Sequence, residues 1–186
     1  TLYGKDGMRV LDPCAGYSSR LIGFYSCARE GEYIGIEPCK EIYNGLLRTQ
    51  TELQPMAQNH NASFYNGCAE NIMVDMNSYY DLIFTSPPYF DLEKYSNEKN
   101  QSYKRYFKYE EWLDKFLFVI IKESYRLLKN DGVFLLNVAD CRNYKIVEHV
   151  EAFAKTIFRI EKVLIMVSSS KFSEYFAEPI FVFRKK

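Results

Sequence analysis

Histidine is nearly missing from this chain. Of 186 residues only His60 and His149 carry an imidazole, so a histidine-built metal centre is not expected. Cysteine is present but unpatterned: Cys14, Cys27, Cys39, Cys68 and Cys141 form no CxxC pair, and their number is odd. With no secretory leader at the start of the sequence, this points to a reducing, cytoplasmic setting rather than to disulfides or zinc. Long apolar runs are lacking too. The best candidate, Phe116–Ile121, falls far short of the roughly 20 residues that span a bilayer, so no membrane partner is expected. Charge of either sign is not in excess, with 24 Lys+Arg against 24 Asp+Glu. That excludes a histone-like binder held by bulk charge, but not an enzyme that grips a polyanion through one local patch. Repeats and low-complexity tracts are absent. No initiator methionine precedes Thr1, and a native N-terminal piece is expected to lie outside this sequence.

What the chain has in plenty is aromatic side chains, 16 Tyr and 14 Phe. Many belong in a core, but tyrosine also serves where a surface stacks on flat ligands. The length suits one domain. Strand and helix patterns alternate along it. Met8–Asp12 reads as a buried strand, followed by a helix over Ser18–Arg29. Tyr33–Glu37 reads as a second strand, followed by a helix from Cys39 or Lys40 to Leu53. A weak third strand falls at Ser63–Asn66 and a fourth at Asp81–Thr85. Residues 90–109 show no period and read as a long mobile substrate loop. Glu110–Lys129 has helical spacing and stops at Asn130-Asp131-Gly132. Val133–Val138 reads as a fifth strand, Tyr144–Phe158 as a helix, and Ile160–Val167 and Ile180–Phe183 as closing strands. The expected fold is α/β, a doubly wound, mostly parallel seven-stranded sheet over a single domain, 1–186. Such sheets place ligands beyond the carboxyl ends of their strands.

Two strand ends carry chemistry. After the first strand comes Asp12-Pro13-Cys14-Ala15-Gly16, a turn of small residues that lets a ligand approach the backbone. About twenty residues later Glu37 and Pro38 end the second strand, where an acid accepts hydrogen bonds from ribose hydroxyls in nucleotide-type folds. After the fourth strand comes Ser86-Pro87-Pro88-Tyr89. Two prolines fix the backbone and remove two N–H donors, leaving oxygens to accept from an amine while the aromatic ring stacks on its plane.

In that order, Asp12-Pro13-Cys14-Ala15-Gly16 and Ser86-Pro87-Pro88-Tyr89 resemble the amino-methyltransferases of DNA, the N4-cytosine and N6-adenine enzymes found in restriction–modification systems and phages. The likeness covers nearly the whole chain, and it implies a Rossmann-like fold and S-adenosyl-L-methionine (SAM) as cofactor. It further implies that Asp12, Pro13, Cys14, Ala15 and Gly16 hold the methionine part, Glu37 with Pro38 the ribose, and Cys68, Ala69 and Glu70 the adenine. Ser86 and the Pro87 carbonyl would accept hydrogen bonds from the target amine, with Pro88 bracing them and Tyr89 stacking on a base flipped out of its duplex. The loop residues Phe90, Lys94, Tyr95, Lys104 and Arg105 interleave charge with aromatics and are expected to touch the nucleic acid.

The family's second turn glycine is Ser18 here, and Cys68 stands where an acid often meets the adenine. Serine before the prolines favours cytosine N4 over adenine N6. No Pro-Cys nucleophile stands in the fourth-strand loop, so C5 chemistry is not expected. No separate target-recognition domain is visible, and the sequence does not fix an oligomeric state. The competing readings are methylation of an RNA base or a protein glutamine amide, and an inactive methyltransferase-like binding subunit.

Overall fold

The computed structural model describes residues 2–27, 29–77, 79–169 and 175–186. Strands β1 (Met8–Asp12), β2 (Gly31–Glu37), β3 (His60–Asn66), β4 (Tyr80–Thr85) and β5 (Leu128–Asn137) run parallel. The hairpin β6 (Phe158–Ser169) and β7 (Tyr175–Lys185) closes the sheet. The order is β3-β2-β1-β4-β5-β7-β6, with β7 antiparallel to both of its neighbours. The expected doubly wound, seven-stranded α/β sheet is the fold observed.

Alternation in the strands decides which face each residue serves. Leu11, Ile34, Ile36, Ile83, Phe134 and Leu136 pack on one face, beneath helices α3 (Ala69–Asp75), α6 (Phe118–Leu127) and α7 (Ile146–Ile157). Val10, Tyr33, Leu82, Val133 and Leu135 pack on the other, where α1 (Ser19–Cys27) contributes Leu21 and Phe24. Helix α2 (Lys40–Leu53) crosses back to β3. Between α3 and α6 lie two single-turn helices, α4 (Ser102–Arg105) and α5 (Tyr109–Trp112), and a π-helical turn Leu113–Leu117.

Several boundaries differ from the sequence reading. The helix expected over Ser18–Arg29 is observed over Ser19–Cys27; Ala28 lies outside the described residues. The helix expected to reach Lys129 ends at Leu127, because Leu128 already pairs with Tyr80 in the sheet and is fully buried. Asn130-Asp131-Gly132 is therefore a bulge within β5 rather than a helix stop: the register jumps from Tyr80↔Leu128 to Leu82↔Val133. Lys129, at the bulge, pairs with Asp81 at 2.7 Å. Helical spacing alone does not distinguish a last helical turn from a strand that starts at once. Helix α3 was not anticipated, since seven residues are too few to show a period. The loop expected over 90–109 contains α4 and starts α5, and it buries Gln101, Ser102 and Tyr106.

Gly31 opens β2 with φ +153°, and a Cβ there would stand 2.7 Å from the Met8 carbonyl oxygen and 3.1 Å from the Phe24 ring. A backbone atom in the paired strand cannot yield without breaking the ladder. Gly31→Ala is expected to cost about 2–4 kcal/mol, read in urea denaturation as a lower midpoint at unchanged m.

Candidate functional site

The carboxyl ends of β1, β2 and β4 meet at one place, and backbone hydrogen bonds hold them there. Three successive amides of the turn after β1 point at the neighbouring strand ends. Cys14 N–H donates to Thr85 Oγ1 at 3.1 Å and to Asp12 Oδ1 at 3.3 Å. Ala15 N–H donates to the Ile36 carbonyl at 2.9 Å, and Gly16 N–H to Glu37 Oε2 at 3.1 Å. Gly16 (φ +54°) and Ser18 (φ +71°) both occupy the left-handed region that brings the chain round into α1. The turn is thus stitched to β4 on one side and β2 on the other.

Above it lies a cleft lined by Cys14, Gly16, Tyr17, Glu37, Cys68 and Ser86, among others. The expected cofactor residues Pro13, Ala15, Pro38, Ala69 and Glu70 also face it, and Pro88 forms its far wall. Asp12 is not on its surface. It is 1% exposed, and Oδ2 accepts from Arg20 Nε and from the Tyr33 hydroxyl, each at 2.6 Å. Arg20 is the residue that reaches the cleft from this pair, also bonding the Cys14 carbonyl. The sequence reading missed it; its only signal was a cation in the first turn of the helix that follows an acidic strand end.

Glu37 is 6% exposed. Its oxygens accept from the amides of Cys39 (2.8 Å) and Gly16 (3.1 Å), one on each side. Burial nevertheless dominates and pushes its carboxyl up to about 7, against the lowering effect of those two amides. Burial and the neighbouring Asp12 raise the Cys14 thiol well above its usual range, so it is no nucleophile at neutral pH.

At the β4 end, Ser86 Oγ lies 3.2 Å from Asn137 Oδ1, while Asn137 Nδ2 donates to the Pro179 carbonyl at 3.2 Å. That carbonyl only accepts, which fixes the amide's orientation and makes Ser86 the donor to Oδ1. Tyr89 is buried, with its hydroxyl donating to Glu178 Oε2 at 3.0 Å. Two further loop groups are internally occupied: Tyr89 N–H donates to Glu93 Oε2, and the Pro88 carbonyl accepts from Phe90 N–H, both at 3.0 Å.

The segment expected to reach substrate folds over this cleft instead. Glu98 accepts from Lys40 N–H at the start of α2 (3.1 and 3.3 Å), and Asn100 Nδ2 donates to the Pro38 carbonyl at 2.6 Å. Arg105 and the Tyr106 hydroxyl both bond Glu70 Oε1, at 2.6 and 3.0 Å. Tyr95 lines the cleft, its ring edge-on to Tyr17. Lys104 bonds the Asn97 carbonyl and Lys94 sits over the Tyr103 ring, so these charges are engaged within the segment. Phe90 is a correction to the sequence reading: at 4% exposure it packs among Tyr109, Trp112 and Tyr144, because a large apolar ring gains more from the core than from water.

Two buried side-chain atoms of residues at the cleft, Asn100 Oδ1 and Gln101 Nε2, find no partner among the described residues. Left unpaired, each costs about 1–3 kcal/mol. A cleft with a buried carboxylate, small-residue turn and unpaired amide atoms fits a nucleoside-containing cofactor. Among the described residues no cluster of His, Cys, Asp and Glu is placed to hold a metal ion, and no helix is long and apolar enough to cross a membrane.

The fold has many solved relatives. A candidate rRNA methylase of Clostridium thermocellum superposes with a TM-score of 0.68 at 13% identity, covering 100% of this chain and 92% of that one. The precorrin-6y C5,15-methyltransferase of Geobacter metallireducens gives 0.64 at 17% identity, covering 98% and 82%. An rRNA methylase of Streptococcus thermophilus gives 0.61 at 10% identity, covering 99% and 90%. At these identities the likeness is one of fold. No curated protein sequence matches the chain. The family model for DNA methylases of the N6/N4 type matches residues 80–186, more than half the chain, from the start of β4 onward. Together with the methyltransferase fold and the cleft at its strand ends, that match settles the affiliation: the chain belongs to the N6/N4 DNA methylase family and is a SAM-dependent methyltransferase.

Proposed function

We propose that this chain methylates the exocyclic amine of a base in DNA, with cytosine N4 favoured over adenine N6. The observation that carries the proposal is that one cleft is bounded by Glu37 and the β1 turn at one end and by Ser86 and Pro88 at the other. A nucleoside cofactor and a flat amine-bearing acceptor would thus meet across a single wall.

When bound, SAM supplies an electrophilic methyl group on a sulfonium. The chain's own residues position what meets it. Glu37 keeps lone pairs free beside its two amide bonds, and these suit ribose hydroxyls. Cys14, Ala15 and Gly16 have their amides already used in stitching the strand ends, so this turn contributes shape more than donors. Arg20 is the cation nearest to hand for a carboxylate at that end, and Asp12 positions it. At the other end the Ser86 proton is held on Asn137, which leaves Oγ as an acceptor towards the cleft. Ser86 Oγ and the Pro87 carbonyl would together accept from the target amine and stabilise the charge that grows on its nitrogen. Tyr89, fixed by Glu178, would hold the plane of the extruded base. No covalent enzyme intermediate is required, in keeping with the raised thiol of Cys14.

RNA is the second reading, favoured by the rRNA methylases among the structural relatives. Residues 1–186 act in this account as one catalytic domain. We infer that 90–109 serves mainly as a cover for the cofactor. Incubation with methyl-labelled SAM and either DNA or RNA, then digestion and mass spectrometry of the nucleosides, separates the readings. Labelled N4-methylcytosine or N6-methyladenine in DNA is expected, with Ser86→Ala about 100-fold slower in kcat. Label confined to RNA would move the substrate to the second reading.

Glu37 gives an expectation in pH. Its folded carboxyl, at about 7, lies above its unfolded value near 4.5. Its share of apo stability is therefore fully present below about 4.5 and lost as pH rises through 7. Ribose hydroxyls donate to the ionised form, so SAM affinity runs the other way, rising from pH 6 to a plateau above 7. In calorimetry Glu37→Gln, neutral at every pH, is expected to bind about tenfold more weakly with that slope removed.

A further inference from the structure

We propose that the outer edge of β6 is an interaction surface for a second copy of this chain, paired antiparallel about a two-fold axis at Ile165. The proposal concerns assembly and stands apart from which substrate is methylated.

An edge strand offers a row of unpaired amides and carbonyls, and folded proteins guard such edges with charge, proline or a bulge. β6 ends the sheet order, so its outer side has no strand beside it among the described residues. Its first part is guarded: the register slips between Ile160 and Lys162, and Glu161 and Lys162 are exposed there. Its second part is not. Residues 163–167 read Val-Leu-Ile-Met-Val, with no charge, proline or bulge, and Ile165 and Val167 are 59% and 62% exposed. The opposite edge of the sheet differs, because the exposed residues of β3 are Asn61, Ser63, Tyr65 and Asn66.

The occupant follows from symmetry and charge. A two-fold axis through an antiparallel pair must pass through a residue position if each face is to remain one face. At Ile165 it sets Val163 against Val167 and Leu164 against Met166, so all five apolar residues meet apolar partners. At Glu161 or Lys162 it would set like charges directly opposite, and at Val163 it would set Lys162 against Leu164. This stretch of β6 therefore complements itself, whereas β3 of another copy would offer it polar side chains. Each copy uses the same edge, so the pairing closes at two chains.

The edge lies near the chemistry. The β5–β7 ladder runs only to Asn137↔Ile180, while β6–β7 continues beyond it. In that projecting part Ile165 pairs with Pro179 and Met166 with Glu178, the two residues that hold Asn137 and Tyr89. A second copy on β6 would brace the strand that supports the loop after β4.

Sedimentation velocity of the whole chain, from roughly 1 to 100 µM, tests the proposal, since so short an interface is expected to associate in the micromolar range. The wild type is expected to pass from one chain to two. Ile165→Lys places two like charges face to face on the axis and should weaken that step at least about 100-fold. Its melting temperature should stay that of the wild type, because the position is exposed. The register has its own readout. Ile165→Cys should form an intermolecular disulfide on mild oxidation, with the wild type as background. Val163→Cys should not, because its two copies lie about 13 Å apart along the strands; mixed with Val167→Cys it should. A wild type that stays monomeric, an assembly that grows beyond two chains, or a dimer that survives Ile165→Lys would overturn the proposal. So would Val163→Cys bridging to itself as readily as Ile165→Cys.

Discussion

Everything at the working end of this protein depends on three backbone N–H groups. The amides of Cys14, Ala15 and Gly16 reach out of one turn to Thr85, Ile36 and Glu37 and join the ends of three adjacent strands. Without them β1, β2 and β4 would still pair through their register, but the turn after β1 would lose its ties to the neighbouring strand ends. With them the loop after β4 and the carboxylate after β2 are held in a common frame. Buried amides must find acceptors, and here their acceptors are the very residues whose positions matter. Fold stability and site geometry are satisfied by the same bonds.

The second consequence is electrostatic. Burying Glu37 raises its carboxyl to about 7, and two amides only partly offset that cost. Asp12 lies close by, and Arg20 lies against it at 2.6 Å, balancing part of the negative charge. A site arranged in this way holds an acid near its point of ionisation and rewards a ligand that donates hydrogen bonds to it. The covering segment follows the same logic, because Arg105 meets the buried Glu70 at 2.6 Å and Glu98 meets the first amide of α2.

The succession of strands along the chain up to β4, the mostly parallel sheet and both chemical strand ends were legible in the sequence, because each rests on local pattern: apolar runs closed by Asp-Pro, Gly-Ile-Glu or Ser-Pro-Pro. What was not legible depends on contacts between distant residues. The bulge that makes Leu128 a strand residue follows from its pairing with Tyr80, forty-eight positions earlier. The partner of Ser86 is Asn137, fifty-one positions later. Phe90, Tyr95 and Arg105 looked alike as a basic and aromatic stripe, yet one lies in the core, one lines the cleft and one pairs with Glu70. Composition does not separate those fates; the fold does.

The central claim is that cofactor and acceptor share one cleft, framed by Glu37 at one end and Ser86 at the other. A crystal structure of the chain with S-adenosylhomocysteine tests it most directly. The account predicts ribose hydroxyls within hydrogen-bond distance of the Glu37 carboxylate and the sulfur at the Ser86–Pro88 end. A ligand seated elsewhere, or bound in this cleft with its ribose turned away from Glu37, would contradict it.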